Sequence, residues 1–212
     1  MNIMTGITNN TDTINIAIAG VGGQGVLTLA EILAKAALED SHNVRVGEIH
    51  GMAQRGGHVV CTVRIGDNAR GPIVDSGTAH LVIGFEPVET LREIHLVSKD
   101  GMVIMNSHVQ YPVAVSMGKS EYPSDVTIMN NIRKFSETVY EFDAMHLAQE
   151  AGSSRSMNIV MFGAIIGSGI TPIKKETAIQ IVKNAFSSKF EEANTRAFEA
   201  GYTTIRDILE KK

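Results

Sequence analysis

One cysteine in 212 residues is the first scarcity with consequences. Cys61 has no partner for an intramolecular disulfide, and a single thiol does not hold a zinc or iron-sulfur site without many other ligands. No cluster is therefore expected on this chain. Aromatic residues make up only 5% against ten methionines, which implies an aliphatic, adaptable core. Basic residues are not in excess: Lys and Arg total 19, Asp and Glu 23, and the net charge is -4. That balance lacks the footprint of a protein that binds a phosphate backbone, so nucleic acid is not an expected partner. A long apolar run is also missing. The best one, residues 158–170, is broken by Gly163, Gly167, Ser168 and Gly169. It falls short of the roughly 20 residues needed to span a bilayer and reads as a buried helix. Residues 1–12 carry neither a basic segment nor an apolar one, so no signal peptide is expected and the location is read as cytoplasmic.

What remains is an ordinary packed protein, 43% hydrophobic and 20% charged. Its size suits one domain over residues 1–212, with a flexible N-terminus over 1–13 and a helical C-terminal region over 143–212. Ile14 to Ala19 is a short β-branched run entering a glycine turn, and from Val26 the apolar residues take helical spacing. Val44 to Ile49 and Val59 to Ile65 read as strands, as does Ala79 to Phe85 with a helix over Val88 to Val97. Lys99-Asp100-Gly101 reads as a turn before a strand over Met102 to Met105, and Gln110 to Pro123 as an irregular excursion. Val126 to Met129 and Thr138 to Phe142 read as short strands, and helices fill the chain after Asp143. Strands alternating with helices predict an α/β three-layer sandwich with a mostly parallel, Rossmann-like sheet and C-terminal helices. Phe198, Tyr202, Ile205 and Leu209 form an apolar stripe on the last helix, which packs on the body or on a second copy in a homodimer.

Two constellations point to chemistry. Gly20, Gly22, Gly23, Gln24 and Gly25 fit the glycine fingerprint that follows a strand and opens a helix. Such a turn either places backbone N–H groups around an anion or lets strand and helix pack closely. Glu48, after the second strand, stands where a ribose contact would be sought. The second constellation runs from Glu48 to His58 and holds His50, Met52, Gln54, Arg55, Gly56 and Gly57. Its glycines and polar groups suit presentation at the sheet's C-terminal edge. Arg55 can hold a phosphate or carboxylate there, or pair with Glu48. Asn158 and Gly163 fit an Asn-x-x-x-x-Gly helix, and the Gly163/Gly167 pair would let another helix approach closely. The scattered histidines pick out no metal site.

Taken together, Gly20–Gly25, the His-Gly-Met-Ala-Gln-Arg-Gly-Gly segment 50–57, the Gly-Phe-Glu-Pro segment 84–87 and the Arg155–Ala164 helix resemble the γ-type domain of 2-oxoacid:ferredoxin oxidoreductases. The wording is most similar to the indolepyruvate branch, in its β subunit. The resemblance implies a small subunit with no catalytic residue of its own and no activity alone. Thiamine diphosphate and [4Fe-4S] clusters would lie on a large α subunit. The holoenzyme would oxidise an aryl pyruvate such as indolepyruvate, pass electrons to ferredoxin and form an aryl-acetyl-CoA. His50, Met52, Gln54, Arg55, Gly56 and Gly57 would face that partner or its active site, and CoA would touch Gly22–Gly25 or Arg55. An autonomous NAD(P)- or CoA-binding Rossmann-like protein is the alternative.

Overall fold

A computed structural model describes residues 13–50, 56–111 and 113–211. The expected N-terminal extension and the segment holding Met52, Gln54 and Arg55 lie outside the described residues.

Eight residues, Ile14–Val21, form β1, followed by α1 over Val26–Glu39. Then come β2 (Val44–His50), β3 (His58–Ile65), β4 (Ala79–Gly84), α2 (Pro87–Glu93) and β5 (Val97–Asn106). After α3 (Val113–Ser116) and α4 (Asp125–Ile132), β6 (Thr138–Phe142) completes the sheet. From Ala144 the regular elements are helical: α5 (Ala144–Glu150), α6 (Met157–Gly167), α7 (Lys175–Ala185) and α8 (Glu191–Glu210). The sheet order is β2-β3-β1-β4-β5-β6. β1, β4, β5 and β6 pair in parallel, whereas β3 is antiparallel to both β1 and β2. The second and third strands, antiparallel neighbours, thus pair as the two arms of a hairpin.

The alternating faces of the strands separate two cores. Ile16, Ile18, Leu81, Ile83 and Ile104 face α1 and the C-terminal helices, while Ala17, Val82, Val103 and Met105 face α2 and α4. Helices cover both faces, which is the expected three-layer sandwich. The expected strand over Val126 to Met129 is instead the helix α4. Ser124 caps it by accepting from the Thr127 N–H, and Ile128 and Ile132, one turn apart, are both buried. Lys99-Asp100-Gly101 lies inside β5, where the register against β4 shifts by a bulge, and the helix expected to reach Val97 ends at Glu93 with a 3-10 turn after it.

Every residue of α6 is buried. The glycine pair in it does admit another helix, and that helix is α8. A Cβ on Gly163 would stand 2.0 Å from the Phe198 carbonyl oxygen, and one on Gly201 would stand 1.9 Å from that of Val160. Phe198 and Ile205 of the C-terminal stripe are fully buried, with Tyr202 and Leu209 packed against the same core, so the stripe is covered within the subunit.

α1 and α7 are tied end to end. The Asp40 carboxylate accepts from the Lys174 N–H and the Thr177 hydroxyl, both at 2.7 Å, and so caps α7 from a distant part of the chain. Burial raises its pKa, but these bonds, with the charges of Lys174 and His42, outweigh burial and hold it below 3.8. The Asp40 contribution to stability is therefore present above the ordinary carboxylate value and lost as pH falls through the lowered one. Asp40→Ala should cost about 1 kcal/mol by urea denaturation at neutral pH, as a lost helix cap does, with the deficit vanishing in acid.

Candidate functional site

Because the parallel strands and β2 all run the same way, their C-terminal ends share one edge with the start of β3. The glycine loop, the two described ends of the 50–57 connection, Glu86, Asn106 and Asp143 meet along this edge, the usual binding edge of open α/β sheets.

The glycine loop uses its glycines in different ways. At Gly20 a Cβ would stand 2.7 Å from Val26 Cγ2 and 2.8 Å from Phe85 Cβ, so this position serves close packing. Gly23 and Gly25 hold φ of +103° and +89°, which glycine adopts at little cost. Gly23 is exposed, with open space where a side chain would be. Gly22 pairs with the far end of the 50–57 connection: its N–H donates to the Gly57 carbonyl at 2.8 Å, and its carbonyl accepts from the Gly56 N–H at 3.2 Å. The two constellations read from the sequence are thus one platform. The Gln24 side chain holds the turn shut from within, accepting from the Val21 N–H at 2.8 Å and donating to the Phe85 carbonyl at 3.3 Å.

That same carbonyl accepts from Asn106 Nδ2 at 3.0 Å. Asn106, fully buried, also accepts from the Ala144 N–H at 2.9 Å and the His108 N–H at 3.3 Å, so one amide joins the ends of β4 and β5 to the start of α5. Beside it Glu86, 0% exposed, caps α2 by accepting from the Val88 and Glu89 N–H groups, and the Tyr122 hydroxyl donates to its other oxygen. Burial pushes the Glu86 carboxyl up despite these bonds, and burial together with Glu86 pushes the Tyr122 phenol up. The Gly-Phe-Glu-Pro segment is accordingly a bracket that holds the edge in place.

α1 begins at Gly25 with no side-chain cap. Asn158, only 6% exposed, lies against that start, its Nδ2 2.9 Å from where a Gly25 Cβ would be. A helix start without a side-chain cap, with an amide set against it, is the kind of place that suits an anionic or carbonyl-rich ligand. The ribose role considered for Glu48 does not survive. β3 separates β2 from β1, leaving Glu48 on the exposed edge strand opposite Cys61 rather than beside the loop. His50 ends β2, and the described residues include its backbone only. Cys61 is buried, and burial first, then Glu48, pushes its thiol up to about 12, so it is unreactive in the folded chain.

His58, which closes the second constellation, has partners that the sequence did not reveal. Its Nε2 is 2.9 Å from a Glu93 oxygen, and Nδ1 meets the Glu89 carboxylate. The pair Glu89 and Glu93, one turn apart after a capped helix start, was a visible signal. The histidine 31 residues before Glu89 was not.

The family model for pyruvate ferredoxin/flavodoxin oxidoreductase matches residues 15–204. The chain belongs to that family. Its relatives include the indolepyruvate oxidoreductase subunit IorB of Pyrococcus horikoshii, 40% identical over 92% of this chain and 97% of the relative, and that of Thermococcus kodakarensis, 40% identical with the same coverage. As a family member of matching length, the chain is a small subunit of a 2-oxoacid:ferredoxin oxidoreductase. The fold agrees with the pyruvate oxidoreductase subunit PORC of Thermotoga maritima, at a TM-score of 0.68 and 24% identity over 91% of this chain and 97% of the other. It agrees equally with 2-oxoglutarate:ferredoxin oxidoreductase of Magnetococcus marinus, at a TM-score of 0.69 and 19% identity, where it covers 95% of this chain and 32% of that one. Among the described residues of this family member no group of three or more His, Cys, Asp or Glu could hold a metal ion, and no helix is long and apolar enough to cross a membrane.

Proposed function

We propose that this chain is the small subunit of an indolepyruvate:ferredoxin oxidoreductase and acts only in complex with a large α subunit. The partner carries thiamine diphosphate, which supplies the decarboxylation chemistry, and the [4Fe-4S] clusters that pass electrons to ferredoxin. The reaction converts an aryl pyruvate and CoA to an aryl-acetyl-CoA, in the cytoplasm. The small subunit's part is to close the active site with the edge formed by Gly20–Gly25 and residues 50–57. His50, Met52, Gln54 and Arg55 face the partner, and Gly56 and Gly57 set the angle of that segment.

The observation that carries the site reading is the uncapped start of α1, with the Asn158 amide set against it and the open Gly23 beside it. Two donors of that kind, with Arg55 on the adjoining segment, fit the phosphates and amides of CoA.

The test is anaerobic purification of the tagged chain from its native host, with the eluate assayed for iron, thiamine diphosphate and indolepyruvate-dependent reduction of a viologen dye. Co-elution of a large iron-sulfur protein with that activity is the expected result. A lone, colourless chain would refute the assembly. Within an active complex, Asn158→Ala should raise the KM for CoA and leave that for indolepyruvate unchanged.

A further inference from the structure

His58 ends the connection that carries Met52, Gln54 and Arg55 and begins β3. Its two ring nitrogens meet two different carboxylates, so both donate and the ring is an imidazolium. The clamp is shielded: the side chains of Glu89 and Glu93 are 4% and 17% exposed and that of His58 26%. The surface pair Lys35–Glu31, by contrast, is more than half exposed on both sides and contributes little. Arg92 of α2 lies 3.7 Å from the outer oxygen of Glu89, and His95 on the following turn bears on Glu93. From the sheet the neighbours are apolar, Val21 opposite on β1 and Val60 next along the same face.

The register with β1 already fixes β3 as a strand. What the clamp adds is restraint at the one place where the hairpin connection re-enters the fold. Residues 56–58 are gripped twice there, by the main chain of Gly22 on one side and by the carboxylates of α2 on the other. We propose that His58 is a positioning residue: held between Glu89 and Glu93, it fixes Gly56–His58, the C-terminal stem of the 50–57 segment, at the edge that the large subunit covers. This rests on the reading of 50–57 as the partner interface.

The charge of the clamp makes the role testable. His58 is raised from 6.5 to about 9, chiefly by the bonds to Glu89 and Glu93 against the opposing effect of burial. A raised cation stabilises fully below the ordinary histidine value, and its contribution disappears as pH climbs through the raised one. The experiment compares the full wild-type chain with His58→Gln, which removes the charge, and His58→Lys, which keeps one. Two quantities are read: hydrogen exchange of peptides spanning residues 50–60 in the free chain, corrected for the intrinsic effect of pH, and the concentration of small subunit that half-saturates dye reduction by the large one. His58→Gln should exchange faster in that stretch and need about tenfold more subunit, the order expected when a charge-assisted bond is lost. His58→Lys should restore both. The wild type should acquire the glutamine variant's defect as pH passes about 9, where the lysine variant does not. Unchanged exchange in His58→Gln, or a wild type indifferent to that pH, overturns the clamp. Faster exchange with unchanged half-saturation overturns the interface reading beneath it, and the positioning role with it.

Discussion

Gly201→Leu will fail to accumulate as a folded subunit, and Gly201→Ala will fold with a loss of about 3 kcal/mol or more, the upper range for overpacking a core. The atoms that a Cβ would strike are main chain, the Val160 carbonyl oxygen at 1.9 Å and its carbon at 2.7 Å, so no side-chain rotation relieves the clash. The helices must part instead, and Gly163 against Phe198 shows the same contact from the other side. Parting them uncovers the edge-to-face pair of Phe162 and Phe198, whose ring centroids are 5.6 Å apart. Alanine's better helix propensity returns only about 1 kcal/mol. Gly71, which has open space around it and no left-handed backbone, is the control: Gly71→Ala should stay near wild type in the same chemical denaturation series.

Asn106→Leu is the second large effect, again about 3 kcal/mol, because a side chain of similar size leaves the Ala144 and His108 N–H groups without their acceptor at a buried position. The damage should not stay local. The Phe85 carbonyl that loses the Asn106 amide is also the anchor of Gln24, which closes the glycine turn. Amide exchange should therefore accelerate at the start of α5 and in residues 20–25, while α7, which shares none of these bonds, keeps its protection. Uniform acceleration across the chain would show that the amide supports the fold generally rather than this edge.

The parts of this architecture that follow from local pattern could be read directly. The run Ile14 to Ala19 into Gly20 is a buried strand entering a tight turn in any context, and Gly163 and Gly167 in a helix that is apolar apart from Asn158 announce a close neighbour. Segments decided by distant contacts could not. Val126 to Met129 has the β-branched composition of a strand, and only the burial of Ile128 and Ile132 on α2's side of the sheet, with the Ser124 cap, makes it helical. The direction of β3 was equally hidden, since Val59 to Ile65 reads alike in either orientation, and with it went the meaning of Glu48. In the site, the glycine loop was legible as a glycine loop. Its union with Gly56 and Gly57 was not, because mutual main-chain bonds carry no residue signature. The clamp on His58 required two elements far apart in sequence to meet.

The hairpin made by β2 and β3 carries a consequence of a different kind. A connection between antiparallel neighbours can change in length and wording without disturbing the sheet, because the two strands hold each other and the tip bears no load. Had those strands been joined by a crossover helix, each alteration in the segment after His50 would have been felt by the core. Its two ends are fixed, one at His50 in β2 and one at the doubly gripped Gly56–His58. A chimera that keeps those ends and imports the intervening residues from a pyruvate-oxidising relative should fold as this chain does, and the proposed interface role of 50–57 then requires that it accept a different large subunit.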